Sequence, residues 1–195
     1  MAAYSKRVPA PDPDSINTRC HAARVSTMTA VLGAPKYPLS KDCNDAKASD
    51  KVKALQQTRS VGPFRVTGIR PFLEVLARTF ALVKAKNPDL YAAVGTAGVL
   101  CVRYVRGSTS TPSNHSWGTA LDVTMLNPKT GEHELDDRGD GKVQVGTLEL
   151  YKYFKEQAFA SGEWCFWGAG FPTEDGMHFE ASDELIRMWK AQGKV

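Results

Sequence analysis

The chain of 195 residues is long enough for one sizeable hydrophobic core and short for two full domains without a visible linker. Its composition, 42% hydrophobic and 24% charged, is that of a globular protein and excludes a disordered or fibrous chain. No apolar run approaches the roughly 20 residues of a bilayer span, and a net charge of +4 permits an anionic polymer as substrate without requiring one.

Residues 1 to about 20 are rich in Pro, Ser and Asp and read as an irregular arm. Their early basic residues lead into no apolar segment, so no secretory leader is expected. A short helix is expected around Ala22 to Leu32. The stretch that follows carries no functional signal, so residues 1–60 are set apart as an extension to a domain over 61–195. A brief strand, Phe64 to Thr67, precedes a helix in which Phe72, Val75, Leu76, Phe80 and Val83 recur at helical spacing until Pro88, with Pro71 tolerated near the first turn. "GVLCVRYVRG" reads as a strand bounded by Gly98 and Gly107, and Thr119 to Met125 as another after the loop "STSTPSNHSWG".

"DDRGDGK" resembles a calcium loop in outline, yet Arg138 and Thr147 stand where oxygen ligands are needed, and a turn at a cleft rim is the better reading. "VGTLELYKYFKEQAFASG" and "DELIRMWKAQ" read as helices, and a short strand is expected in "WCFWGAGFPTEDGMHFEAS". Core packing is expected for at least two of Trp117, Trp164 and Trp167, which otherwise would line a cleft. Strands and helices in this mixed order predict an α+β domain with a central antiparallel sheet flanked by helices. Cys20, Cys43, Cys101 and Cys165 form no CxxC pair and are expected as reduced thiols, a Cys20–Cys43 bridge staying open.

The chemistry gathers in two stretches. In an extended strand alternate residues share a face, so Asp122 with Ala120 and Thr124 lies opposite Leu121, Val123 and Met125. His115 precedes Gly118, where a glycine allows the chain to fold back over Asp122. In "EDGMHFEAS", His178 and Glu180 share the face opposite Met177 and Phe179; Glu180 taken alone reads as a surface residue. Two imidazoles and one carboxylate match a catalytic zinc site, three protein ligands with one open position, and imidazole favours zinc over magnesium or calcium. Asp175, in the turn before His178, is placed to move protons at the open position, with Glu174 as its rival. Arg103, or Arg106 close by, would steady the oxyanion of amide hydrolysis.

"SNHSWGTALD" fits SxHxxGxAxD, and "DGMHFE" supplies an acid three residues before a histidine. Together they resemble the zinc D-alanyl-D-alanine carboxypeptidases and dipeptidases of the VanY and VanX type and the phage L-alanyl-D-glutamate endopeptidases. The resemblance spans roughly Val61 to Ser182. It implies zinc on His115, Asp122 and His178, Asp175 as acid/base, a transition-state Arg103, a substrate-contacting Ser113, and the family's small α+β fold.

Many carboxypeptidase members carry glutamate where this chain has Asp175. The shorter acid looks like the phage-endolysin branch, which implies an endopeptidase of peptidoglycan stem peptides, made in the cytoplasm and reaching the wall with a holin. A D-alanyl-D-alanine carboxypeptidase is the alternative. A zinc-stabilised binding module without activity is the second.

Overall fold

A computed structural model describes residues 4–195. In chain order the elements are β1 (Arg7–Pro9), α1 (Val25–Leu32), α2 (Asp50–Leu55), β2 (Gln56–Ser60), β3 (Arg65–Ile69), α3 (Arg70–Lys86), α4 (Pro88–Ala93), β4 (Val94–Gly98), β5 (Ala120–Leu126), β6 (His133–Glu134), β7 (Lys142–Gln144), α5 (Val145–Ser161), β8 (Cys165–Trp167), β9 (His178–Ala181) and α6 (Asp183–Ala191). Every strand pairing is antiparallel.

The central sheet runs β4-β5-β9-β8, with β6 paired to the far end of β5. β5, paired with β4, β9 and β6, is one of its two inner strands. Leu121, Val123 and Met125 point into the core from one face of β5 and are fully buried, as the alternation predicts. The long helices α3 and α5 cover that face, α3 through Phe72, Leu73, Leu76 and Phe80 and α5 through Leu150 and Phe154. Phe154 stacks on Phe179 of β9 with ring centroids 4.6 Å apart. Burying about six such side chains at roughly 1.5–3 kcal/mol each is the main force fixing the sheet against its helices.

Three expectations are corrected by the packing. Residues 1–3 of the expected arm lie outside the described residues; beyond them the segment is tied down. β1 pairs with β7, Asn17 makes two hydrogen bonds with the Trp167 backbone, and Tyr4 and Ile16 are buried in the common core. Proline and aspartate made this stretch read as irregular, but its strand pairs at long range, which local composition does not register.

The strand expected over "GVLCVRYVRG" stops at Gly98, whose φ of +123° breaks the extended run. Residues 99–105 instead form an irregular segment held from both sides. Asn44 N–H donates to the Val102 carbonyl and Tyr104 N–H to that of Ser40, while Cys101 N–H donates to the His115 carbonyl.

The cysteines are the third correction: Cys43 and Cys101 are disulfide-bonded, clamping that segment to the 40–45 loop. Cys20 and Cys165 are free and buried. Trp117 and Trp167 are core residues, and "DDRGDGK" is a rim loop pinned by Arg7, which lies 2.7 Å from Asp136 and 2.5 Å from Asp140. No helix among the described residues is long and apolar enough to cross a membrane.

Candidate active site

Asp122 and His178 come together because they are direct partners in the β5/β9 ladder, as are Ala120 and Glu180. The side chains of such a pair stand on one face of the sheet within reach of each other. His178 Nδ1 lies 3.0 Å from Asp122 Oδ1. His115 arrives from the other direction. Asn114–Trp117 form one short 3₁₀ turn that ends in Gly118 with φ +65°. There the chain presses on β3: a Cβ on Gly118 would lie 3.1 Å from the backbone of Gly68 and Ile69. The fold-back expected from glycine is therefore present, and it sets His115 Nε2 3.2 Å from the same Asp122 oxygen.

The outer nitrogens of both rings are occupied. His115 Nδ1 lies 2.8 Å from the Val99 carbonyl, which can only accept, so this nitrogen carries the proton. His178 Nε2 lies 2.9 Å from Glu180 Oε2. Glu180 is 1% exposed, not the surface residue its sequence position suggests. Its Oε2 also accepts from Asn114 Nδ2 at 2.6 Å, and its Oε1 from the backbone N–H of Ala23 at 2.8 Å. With both outer nitrogens donating, the inner ones present lone pairs to a carboxylate oxygen. The three ligand atoms lie within 4.8 Å of one another, and His115 Nε2 has no hydrogen-bond partner among the described residues.

Three acceptors facing each other in a shielded spot demand a cation between them. The titration of the group shows the same preference for positive charge, met by a proton on His178 when no metal is bound. Burial opposes charge on His178, but its hydrogen bonds to Asp122 and Glu180 outweigh it and hold the imidazole well above the usual histidine range. Burial also opposes ionisation of Asp122, and the two histidines overcome it, holding the carboxyl far below the usual range.

These residues form the floor of a cleft of about 720 Å³, one wall built from residues 103–114 and the other from 171–175, with Asp137, Arg138 and Gly139 at the rim. Asp175 lines it. Burial pushes its carboxyl up to about 6, with the Asp122 carboxylate adding to the rise and His178 opposing it, and its Oδ1 has no partner among the described residues. Glu174 is otherwise engaged, accepting from Gly141 N–H at 3.0 Å. Gly168 makes the turn feasible: its carbonyl accepts from Asp175 N–H at 2.9 Å, and a Cβ there would lie 2.6 Å from the Asp175 carbonyl.

Arg103, Arg106 and Ser113 also line the cleft. Arg103 is half-buried and donates to the Tyr104 carbonyl at 3.0 Å. Arg106 is exposed and pairs with Asp137 at 2.8 Å. Ser113 is buried, its N–H donating to the Arg103 carbonyl. Val99, Asn114, Ala23 and Gly168 carried no signal in the sequence, because three of them act through backbone groups. Glu180 carried one, its shared face with His178.

An open cleft with converging ligand atoms on its floor and an acid and arginines on its walls has the parts of a hydrolytic centre, and the chain carries a peptidase family's signature across it. Residues 106–181 match the family model described as D-alanyl-D-alanine carboxypeptidase, a stretch that holds His115, Asp122, Asp175 and His178, begins on Arg106 and leaves Arg103 outside. The family that "SNHSWGTALD" and "DGMHFE" resemble is thus the family whose model matches. Among solved structures, the L-Ala D-Glu endopeptidase ChiX of Serratia marcescens is similar at 18% identity, over 63% of this chain and 85% of that chain, with a TM-score of 0.42. No curated protein matches.

Proposed function

We propose that the chain is a zinc-dependent peptidase of peptidoglycan stem peptides, an L-alanyl-D-glutamate endopeptidase of the phage-endolysin kind. The observation that carries the metal is the convergence of His115 Nε2, His178 Nδ1 and an Asp122 oxygen within 4.8 Å of one another. His115, Asp122 and His178 would hold the ion, and two imidazoles suit zinc better than magnesium or calcium. When bound, zinc supplies a Lewis acid for the scissile carbonyl and makes water acidic enough to ionise near neutral pH.

The protein's own groups do the rest. Asp175 takes a proton from the attacking water and delivers it to the leaving amine nitrogen, a task suited to a carboxyl pushed up to about 6. Arg103, with Arg106 as the other candidate, stabilises the oxyanion that develops on the carbonyl oxygen. Ser113 meets the substrate backbone at the cleft wall. The cleft, within the size range of small-ligand sites, takes a short stretch of stem peptide. The Cys43–Cys101 disulfide fits work outside the reducing cytoplasm, at the wall.

The choice of endopeptidase rests on Asp175 in place of the glutamate of many carboxypeptidases in the resembled family. Mass analysis of muropeptides after digestion with the zinc-loaded chain tests it. Cleavage between L-alanine and D-glutamate is expected. Loss of a terminal D-alanine would replace this reading with the carboxypeptidase that the family model's description favours, and intact muropeptides with zinc bound would leave a binding module.

A further inference from the structure

The Glu180 carboxylate is buried, yet the catalytic scheme above does not use it. It receives three donors, and two of them can only donate: the Ala23 backbone N–H on Oε1 and the Asn114 amide N–H on Oε2. The third is His178 Nε2. Hydrogen bonds to an ionised acceptor are shorter and roughly twice as strong as neutral ones. An acceptor-only group fixed in this way holds the Nε2 proton toward Glu180 and leaves Nδ1, 3.0 Å from Asp122 Oδ1, as the nitrogen that can give up its proton to a cation.

We infer that Glu180 is a positioning residue for the metal centre, locking the ring of His178 as a ligand, and that its own carboxylate is clamped by Asn114 and by Ala23. The inference rests on the zinc reading. It also extends the centre beyond the family-matched residues 106–181, because Ala23 lies at the start of α1, far outside them. The same clamp joins three separate parts of the chain: the entry to α1, the His115 turn and β9. Asn114 Nδ2 lies 3.3 Å from the Ala23 carbonyl as well, so the two clamping groups also hold each other. Glu180 borders the cleft but is 1% exposed, its carboxylate taken up by Ala23, Asn114 and His178, so its proposed action is through His178.

Glu180→Gln tests the clamp with little change of shape. Its amide offers one acceptor oxygen and an NH₂ to three donors, so at least one donor loses its partner. Zinc affinity, measured by chelator competition on the full chain, is expected to fall about 10- to 100-fold, while the metal-free variant keeps the parent's far-UV spectrum and its thermal midpoint falls by only a few degrees. A folded E180Q chain with parental zinc affinity overturns the inference and leaves the zinc reading intact.

The parent chain supplies a measurement that needs no variant. Long-range ¹H–¹⁵N correlation of the zinc-loaded protein is expected to find His178 protonated at Nε2, with slow exchange of that proton. An Nε2 without a proton overturns the clamp. A parent chain that takes up no zinc overturns the zinc reading, and this inference falls with it.

Discussion

Asp122 and His178 face each other across the β5/β9 ladder, 3.0 Å from carboxylate oxygen to ring nitrogen, and the same oxygen lies 3.2 Å from His115. One carboxylate between two imidazoles, whose outer nitrogens are already committed, makes a cation the missing partner. Asp122→Asn removes the charge and keeps the shape. It is expected to lower bound zinc from about one equivalent to near none and to abolish hydrolysis, as does a chelator on the parent chain. On the proposed reading zinc binds the folded chain only, so the parent's thermal midpoint should rise on zinc addition and that of Asp122→Asn should not. A midpoint indifferent to zinc in the parent contradicts the site.

Asp175 and Glu174 are adjacent in sequence and separated by their partners. Glu174 is spent on the Gly141 N–H, while Asp175 has a shielded oxygen with no partner among the described residues. Asp175→Asn is expected to reduce turnover by about 10²- to 10⁴-fold with zinc content unchanged. Glu174→Gln should alter it by only about twofold, the scale of a surface change. Steady-state hydrolysis of a stem peptide, run beside metal analysis of each variant, measures both. Equal losses in the two variants would mean the acid has been assigned to the wrong residue.

What the sequence made legible was whatever depends on local periodicity and side-chain type. The α3 pattern, the face of β5 and the parity of His178 with Glu180 all follow from spacing, and the ligand residues carried their chemistry in their identity. What stayed hidden depends on long-range pairing or on backbone groups. No local pattern announces that β1 pairs with β7, that Cys43 lies beside Cys101, or that the Val99 carbonyl orients His115. The extended run from Gly98 to Gly107 misled for a related reason. Val99, Val102 and Val105 have the composition of a strand, but the sheet edge there is broken by Gly98, and the segment bonds instead to the 40–45 loop and the His115 turn.

That segment ties the Cys43–Cys101 bridge to the proposed site. Cys101 N–H donates to the His115 carbonyl, and two residues earlier the Val99 carbonyl receives His115 Nδ1. The bridge links residues 58 positions apart, a span for which removal destabilises a fold by about 2–4 kcal/mol. Cys43→Ser is expected to lower the unfolding free energy by that amount, read from denaturant titration. It should also weaken zinc binding, because the segment that orients His115 loses its anchor. A variant with lowered stability and unchanged zinc affinity would show the bridge to be structural alone.

Asp183 predicts the acid limb of stability. Burial opposes its ionisation, but hydrogen bonds from Arg24, Thr27 and Arg187 prevail and hold the carboxyl well below the usual aspartate range. A group whose folded value is depressed stabilises the fold above its unfolded value, near 4, and loses that contribution as pH falls through the folded value. The parent should therefore lose stability as pH drops below about 4. Asp183→Asn should be less stable at pH 7 and show a flatter decline on acidification, followed by urea denaturation at stepped pH. Parallel curves for the two proteins would assign the acid limb to other carboxylates.

Gly168 is where backbone packing meets Asp175, the proposed acid. It precedes the turn that carries Asp175, its carbonyl receives the N–H groups of both Phe171 and Asp175, and a Cβ added there would lie 2.6 Å from the Asp175 carbonyl and 2.9 Å from Cβ of His178. Neither neighbour is a flexible side-chain end. One is backbone and the other begins a ligand, so relief requires moving the acid, the ligand or both. Gly168→Ala is expected to destabilise the fold by about 1–3 kcal/mol, the usual scale of overpacking. It should reduce turnover by far more than that loss of folded protein explains, since small displacements of catalytic groups can lower rates by about 10²-fold. Turnover per folded molecule, with the folded fraction set by denaturation at the assay temperature, isolates the second effect. A variant destabilised as expected but fully active per folded molecule would show that the turn yields away from Asp175 and His178, and that the acid's position does not depend on this close approach.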